Sequence, residues 1–289
     1  MKDKFCNYIA NLCIKSMLYE VAASPKPGLV DRHNSGAHED MDFFTFLNSS
    51  SSLYPYFYQC SREGLYFQGN NYTSLLKNIR PIGIEAERIM FASTQGVNTH
   101  KGLIFSLGIL AAASGSLYKE NRSLSPKTLS DRVQEISQGV TKELKEAKSS
   151  LTYGEVLYKK YGITGIRGEV EAGFPTVLEY SLPVFNRLIT EDKYHINTIL
   201  VHTLLYLIAH TEDSNILGRH NMQKLNYAQK EAKEAIKLGG YLSLAGREKV
   251  KEMDESFIRQ NISPGGAADL LAVTLMFHQL DNLDSEEII

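Results

Sequence analysis

Residues 96–115 read GVNTHKGLIFSLGILAAASG. Asn98 and Thr99 are residues that cap helix N-termini. The apolar positions that follow, Leu103, Leu107, Leu110 and Ala111, recur at helical spacing. Gly102, Ser106, Gly108, Ala111 and Ala112 are small, so the spacing predicts a helix that neighbouring helices approach closely. No stretch of the chain alternates apolar and polar residues with the period of a half-buried strand, and no strand–helix–strand rhythm appears. The fold class expected from these patterns is all-α, one compact multi-helix domain over residues 1–289 with a central polar cleft built from the loops between helices.

Outward from that stretch, Phe5, Ile9, Leu12, Cys13 and Met17 mark a first helix that ends by Ala23. A second helix is expected with Asp40 or Asp42 in its first turn, where carboxylates favour the helix dipole; residues 49–58 are ambiguous. Pro81 is expected to open a helix. Leu129, Val133, Ile136, Val140 and Leu144 predict one amphipathic helix over residues 125–148, and residues 152–161 a short one. Residues 162–173, GITGIRGEVEAG, read as a glycine-rich loop. Pro175 starts a helix that Pro183 should kink or split. The most apolar helix, 195–210, runs into the polar loop 211–221, and three further helices follow, ending at Leu280 before an acidic tail.

The chain has 289 residues, 43% hydrophobic and 22% charged, and a formal net charge of −2, which argues against general nucleic-acid binding. Three cysteines without zinc spacing fit a reducing compartment. The apolar run 196–209 is too short to span a membrane. A cytoplasmic, membrane-free protein is expected.

Five constellations carry candidate chemistry. The loop 24–43, SPKPGLVDRHNSGAHEDMDF, crowds Lys26, Asp31, Arg32, His33, Asn34, His38, Asp40 and Asp42 into a segment stiffened by Pro25 and Pro27. Asp40 and Asp42 are oxygen donors suited to Mg²⁺, and Lys26 to a phosphate. Asn98, Thr99, His100 and Lys101 sit where a helix N-terminus attracts anions. Arg167, Glu169 and Glu171 are interleaved with glycines; in an extended segment the two glutamates face one side, and paired acids can divide acid and base work. Glu212, Asp213, Asn215, Arg219 and His220 follow the most apolar helix. Ser263–Pro264–Gly265–Gly266, followed by Ala268 and Asp269, is a glycine turn feeding a helix. Each piece alone is explained as a cap or turn; their repetition in one chain points to a site.

Taken in order, SPKPGLVDRHNSGAHEDMD, GVNTHKG, RGEVEAGFP, EDSN and SPGGAADLLA resemble the triphosphoribosyl-dephospho-coenzyme A synthase family, over nearly the whole chain from Ser24 to Ala272. The family serves citrate lyase, with a sister branch serving malonate decarboxylase. The resemblance implies transfer of the triphosphoribosyl group of ATP onto the 2′-hydroxyl of 3′-dephospho-coenzyme A, with release of adenine. It also implies that a holo-acyl-carrier-protein synthase receives the product. One departure stands out: where the family pattern tends to Arg-Gly-Gly, this chain has Arg219–His220–Asn221.

For that reaction, Glu169 or Glu171 is expected as base or oxocarbenium stabiliser, and His100 as proton donor. Mg²⁺ is expected on Asp40, Asp42 and Asp213. Lys26, Asp31, Arg32, Asn34, Asn98, Lys101, Arg167, Asn215, Arg219, Gly265 and Gly266 are expected to bind substrate or phosphate. The competing readings are a Mg²⁺-dependent ADP-ribosyl or nucleotide hydrolase and a non-catalytic helical scaffold.

Overall fold

The structure, a computed structural model, describes residues 2–146 and 153–283. Among these residues every regular element is helical. In chain order they are α1 (Lys2–Ala22), α2 (Phe43–Ser52), α3 (Tyr54–Tyr66), α4 (Thr73–Ser93), α5 (Lys101–Lys119), α6 (Pro126–Ser137), α7 (Glu143–Glu146), α8 (Tyr153–Tyr161) and α9 (Gly165–Glu171). A π-helical turn (Val177–Ser181) then leads into α10 (Leu182–Glu191). α11 (Ile196–His210), α12 (Ser214–Arg219), α13 (Met222–Lys237), a 3₁₀ turn (Gly240–Leu242), α14 (Leu244–Arg259) and α15 (Gly265–Asp281) complete the chain. The acidic tail and the residues joining α7 to α8 lie outside the described residues.

α5 is the axis of the fold. It packs against α1, α3, α4, α6 and α15, and the small residues on it set the distances. A Cβ on Gly64 of α3 would fall 1.9 Å from the Ala112 carbonyl oxygen, and one on Gly115 would fall 2.0 Å from that of Ser61. The two backbones therefore touch. Gly108 makes room for the Tyr56 hydroxyl, which donates to the Ile104 carbonyl at 2.8 Å. By length and composition α5 could cross a membrane, but 78% of its apolar window is buried inside the protein. It is a core helix whose apolar character serves packing.

A second group, α10, α11, α13 and α14, joins the first through α15, which contacts α1, α5, α10 and α11. One continuous hydrophobic core runs from Phe5 on α1 to Leu280 on α15. Cys6, Cys13 and Cys60 are free and buried, the last two within that core.

Several boundaries differ from those read in the sequence. Pro81 lies inside α4, because Leu75, Leu76 and Ile79 already bury a face ahead of it. The amphipathic pattern after Ser125 is not one helix. α6 stops at Ser137, and Gly139 at φ 92° turns the chain, although Leu129, Val133, Ile136, Val140 and Leu144 are all buried. Pro183 occupies the first turn of α10, where a missing N–H is tolerated, and a π turn separates it from the residues after Pro175. Residues 165–171 are helical, and so are 214–219, inside segments read as loops.

Candidate functional site

The loop between α1 and α2 is organised by Asp31. Its carboxylate accepts the backbone N–H groups of Lys26 at 2.9 Å, His33 at 2.6 Å and Asn34 at 3.1 Å. Asp31 is thus the internal clasp of the loop. Gly28 takes φ 69°, and a Cβ there would lie 2.1 Å from the Ile262 carbonyl oxygen, while its amide donates to Asp254 on α14. Asn34 donates to the other Asp254 oxygen at 3.2 Å. Arg32 is exposed and donates to Asn197 at 3.1 Å.

From the far side, Arg219 at the end of α12 donates to the Ala37 carbonyl at 2.9 Å and stands 3.0 Å from His38. His38 in turn meets Ser263 at 2.9 Å. Burial and the Arg219 charge push the His38 pKa down to about 4. The first loop, the end of α12 and the turn before α15 are therefore one connected body. Where the family tends to glycines, His220 meets the Asn261 carbonyl at 2.8 Å and Asn221 caps α13. Both positions serve local structure here.

Beneath that body lies a buried polar floor. Lys26 is 2% exposed and forms an ion pair with Glu20 on α1. His100, 1% exposed, precedes the first turn of α5, and burial with the nearby Lys26 charge lowers its pKa to about 3. Asp213 is the N-cap of α12: one oxygen accepts the Asn215 and Ile216 amides at 2.8 and 3.2 Å, and the other accepts the Ala267 amide at 3.0 Å. One carboxylate thereby ties the start of α12 to the start of α15. Gly265 and Gly266 are needed because added Cβ atoms would sit 2.9 Å from Asn215 Nδ2 and 3.0 Å from Asp213 Oδ2.

Asp269, one turn into α15, lies across the first turn of α5: a Cβ on Gly102 would be 2.0 Å from Asp269 Oδ2. Protein packed around it, together with Glu20 and Asp213, raises its carboxyl well above the usual carboxylate range. Burial also raises Glu20 and Asp213, Glu20 against the opposing pull of Lys26 and Asp213 against that of its amide donors. Asp269 and the two glycines of the turn keep partial exposure. The arrangement is a closed polar floor with a partly open rim, and a surface hollow of about 670 Å³ lies elsewhere, along Asp3, Asn7, Tyr58 and Arg62 on α1 and α3.

The structure thus joins Lys26, Asp31, Asn34, His100, Asp213, Asn215, Arg219, Gly265 and Gly266. It treats other expected site residues differently. Asp42 is the N-cap of α2, accepting the Thr45 amide at 2.8 Å in a capping box. Asp40 is at the surface beside His38, at 3.7 Å. With Asp213 spent on helix caps, the expected Mg²⁺ trio does not assemble. Among the described residues no three His, Cys, Asp or Glu side chains gather to hold a metal ion.

Glu169 and Glu171 sit on α9 rather than on an extended segment, so residues two apart diverge around the helix. Glu169 accepts from the Thr176 amide and hydroxyl at 2.8 and 2.9 Å, and burial raises its carboxyl. Glu171 clasps the 139–141 turn through the Gly139 and Thr141 amides and the Thr141 hydroxyl. Arg167 points to Glu143, 3.9 Å away, and Lys101 pairs with Glu87 at 2.8 Å. Asn98 lies on the exposed approach to α5 and accepts the Lys101 amide at 3.3 Å. α9 still borders the rim, since a Cβ on Gly165 would lie 3.4 Å from Ser214.

Glu20, Ser49 and Asp254 were missed in the sequence. Glu20 falls on the buried stripe of α1, Ser49 in the ambiguous serine run, and Asp254 in an ordinary amphipathic helix.

An all-helical scaffold thus brings the first turns of two long helices, α5 and α15, together beside the buried Lys26–Glu20 pair, and the free N–H groups of helix N-termini are suited to anions. Residues 6–288 match the family model described as "CitG: ATP:dephospho-CoA triphosphoribosyl transferase", and the chain belongs to that family. A relative from Vibrio cholerae serotype O1, named probable 2-(5''-triphosphoribosyl)-3'-dephosphocoenzyme-A synthase, is 37% identical over 95% of this chain and 88% of its own length. Relatives of the same name from Photobacterium profundum and Salmonella gallinarum are 39% and 40% identical, over 97% and 91% of this chain and 90% and 87% of theirs. No solved structure matches the chain.

Proposed function

We propose that this protein transfers the 5″-triphosphoribosyl group of ATP to the 2′-hydroxyl of 3′-dephospho-coenzyme A and releases adenine. The observation that carries the reading is the meeting of the first loop, the α5 start, the α12 cap and the α15 glycine turn around Lys26. In sequence these segments are widely separated; family membership gives their junction a substrate.

The ribose C1′–N bond to adenine breaks and a C1′–O bond to the acceptor forms. Charge builds at C1′ as the base departs, and neighbouring carboxylates stabilise it. Adenine must gain one proton and the hydroxyl must lose one, so a single group can balance both. Asp269 suits this. It accepts no hydrogen bond from any described residue, it keeps partial exposure, and burial together with the Glu20 and Asp213 charges favours its protonated form. It gives that proton to the departing adenine, and the acceptor hydroxyl restores it. Glu169 is a second acid–base candidate; Glu171 serves the 139–141 turn. The triphosphate stays intact and needs donors only, which Lys26, Arg219, Lys101 and the first turns of α5 and α15 supply.

Because the Asp40, Asp42 and Asp213 trio does not assemble, Mg²⁺ enters this reading only as the companion of the ATP triphosphate. We place the reaction in the cytoplasm, with a holo-acyl-carrier-protein synthase consuming the product. The test is incubation with ATP, Mg²⁺ and 3′-dephospho-coenzyme A. A product whose mass equals the acceptor plus triphosphoribose supports transfer. Free ribose triphosphate would instead support hydrolysis.

A further inference from the structure

Ser49, on α2, faces the residues that lead into α5. The Thr99 hydroxyl donates to Ser49 Oγ at 2.7 Å, and Ser49 Oγ stands 2.7 Å from His100 Nδ1. A hydroxyl has one proton to give. Thr99 spends its proton on Ser49, so Ser49 has its own left for Nδ1. Were Nδ1 protonated instead, Ser49 would accept twice and its proton would be left without an acceptor in a fully buried position. The chain of bonds therefore runs Thr99 to Ser49 to Nδ1, and the ring carries its proton on Nε2. That nitrogen is buried and has no partner among the described residues. It lies on the ring edge away from Ser49, and the Phe46 ring meets the imidazole edge-on, 5.0 Å between centroids at 89°.

A buried donor without an acceptor is costly, and its persistence calls for a ligand. Lys26 is close enough for its charge to act on the ring. No carboxylate of the described residues is hydrogen-bonded to the imidazole, so an Nε2–H within reach of the charge of Lys26, itself paired with Glu20, describes a place for an acceptor atom. We propose that Ser49, loaded by Thr99, is a positioning residue that locks His100 in the neutral Nε2–H form, and that this N–H binds a phosphate oxygen of the substrate. Naming the anion as the nucleotide's triphosphate rests on the function proposed above; the tautomer and the role of Ser49 do not. His100 is then a hydrogen-bond donor rather than an imidazolium acid.

The test is long-range ¹H–¹⁵N correlation of the histidine side chains in the intact, ligand-free protein at neutral pH, with His100 assigned by its loss in His100→Gln. The expected pattern for His100 is neutral with the proton on Nε2. Addition of inorganic triphosphate, and separately ATP, should shift the Nε2–H resonance. Ser49→Ala should mix the two tautomers and raise KM for ATP about tenfold with a smaller change in kcat, and Ser49→Thr should restore both. Thr99→Val, which keeps the shape and removes the donor, should give the same mixing if Ser49→Ala does not fold. A proton on Nδ1, a charged ring, or an unchanged tautomer in Ser49→Ala and Thr99→Val would overturn the proposal. A correct tautomer whose Nε2–H ignores both triphosphate and ATP would overturn its ligand. Because the tautomer is read without turnover, its failure is distinguishable from failure of the proposed reaction.

Discussion

Replacing Lys26 with methionine removes the one cation among the described residues that pairs with Glu20, in a buried ion pair. Methionine keeps the length of the side chain and its packing, so the change isolates the charge. Removing one partner of a buried pair costs about 3–5 kcal/mol, because the other charge is stranded. The chain can escape part of that cost by protonating Glu20. Burial already raises the Glu20 carboxyl and Lys26 is the main force holding it down, so the variant raises it further. The sign follows: an acid whose folded pKa exceeds its unfolded one costs nothing extra below the unfolded pKa, and the penalty grows as pH rises toward the folded pKa.

Lys26→Met should therefore be destabilised by about 3 kcal/mol or more at pH 8 and by much less near pH 4. At roughly 2–4 °C per kcal/mol this corresponds to a fall in Tm on the order of 10 °C at the higher pH. The assay is urea unfolding followed by far-ultraviolet circular dichroism and tyrosine fluorescence across that range. The double variant Glu20→Gln with Lys26→Met, which leaves no stranded charge, should recover most of the loss. A single variant within about 1 kcal/mol of the parent at pH 8, or a double variant no better than the single, would refute the buried-pair reasoning.

Other expectations follow from the same geometry. Asp269→Asn removes a carboxyl that burial, and after it the Glu20 and Asp213 charges, holds well above the usual carboxylate range. The variant should be more stable than the parent above neutral pH and equal to it near pH 3, while adenine release falls at least a hundredfold; thermal melts at the two pH values and an adenine assay check both. Gly115→Ala would place a Cβ 2.0 Å from the Ser61 carbonyl oxygen and should lower stability by about 1–3 kcal/mol by separating α3 from α5, read by urea midpoints. Glu171→Gln should weaken the clasp on residues 139–141 by about 1–2 kcal/mol in the same assay and leave kcat within a few-fold of the parent. Chelation of divalent cations should stop turnover, and the metal needed for half-maximal rate should rise in step with ATP if the metal travels on the triphosphate; a requirement independent of ATP would contradict that.

The fold class was legible because helical periodicity is repeated along most of the chain, and the small residues of α5 announced the contact that Gly115 and Gly64 make. Boundaries failed where burial outweighed a local signal. Pro81 reads as a helix start, yet the apolar residues before it hold the helix together through the proline. Gly165 and Gly168 read as loop, yet one adopts φ 55° at a helix start and the other packs its bare Cα against Thr164.

The five charged segments were legible as candidates, because the same mixture of acids, cations and glycines recurs where the chain leaves or enters helices. The roles within them were not. An acid before a helix is the same sequence signal whether it binds a metal or caps the helix, and Asp42 and Asp213 prove to be caps. Glu20 was hidden for the opposite reason. It lies on the apolar stripe of α1, and only its pairing with Lys26 from the next loop explains a carboxylate there.

The most direct test of the central claim is adenine release from ATP, measured with and without 3′-dephospho-coenzyme A. The account predicts that adenine appears only with the acceptor present, one for each coupled product formed. Adenine released at the same rate without the acceptor, or a coupled product formed with no adenine, would contradict it.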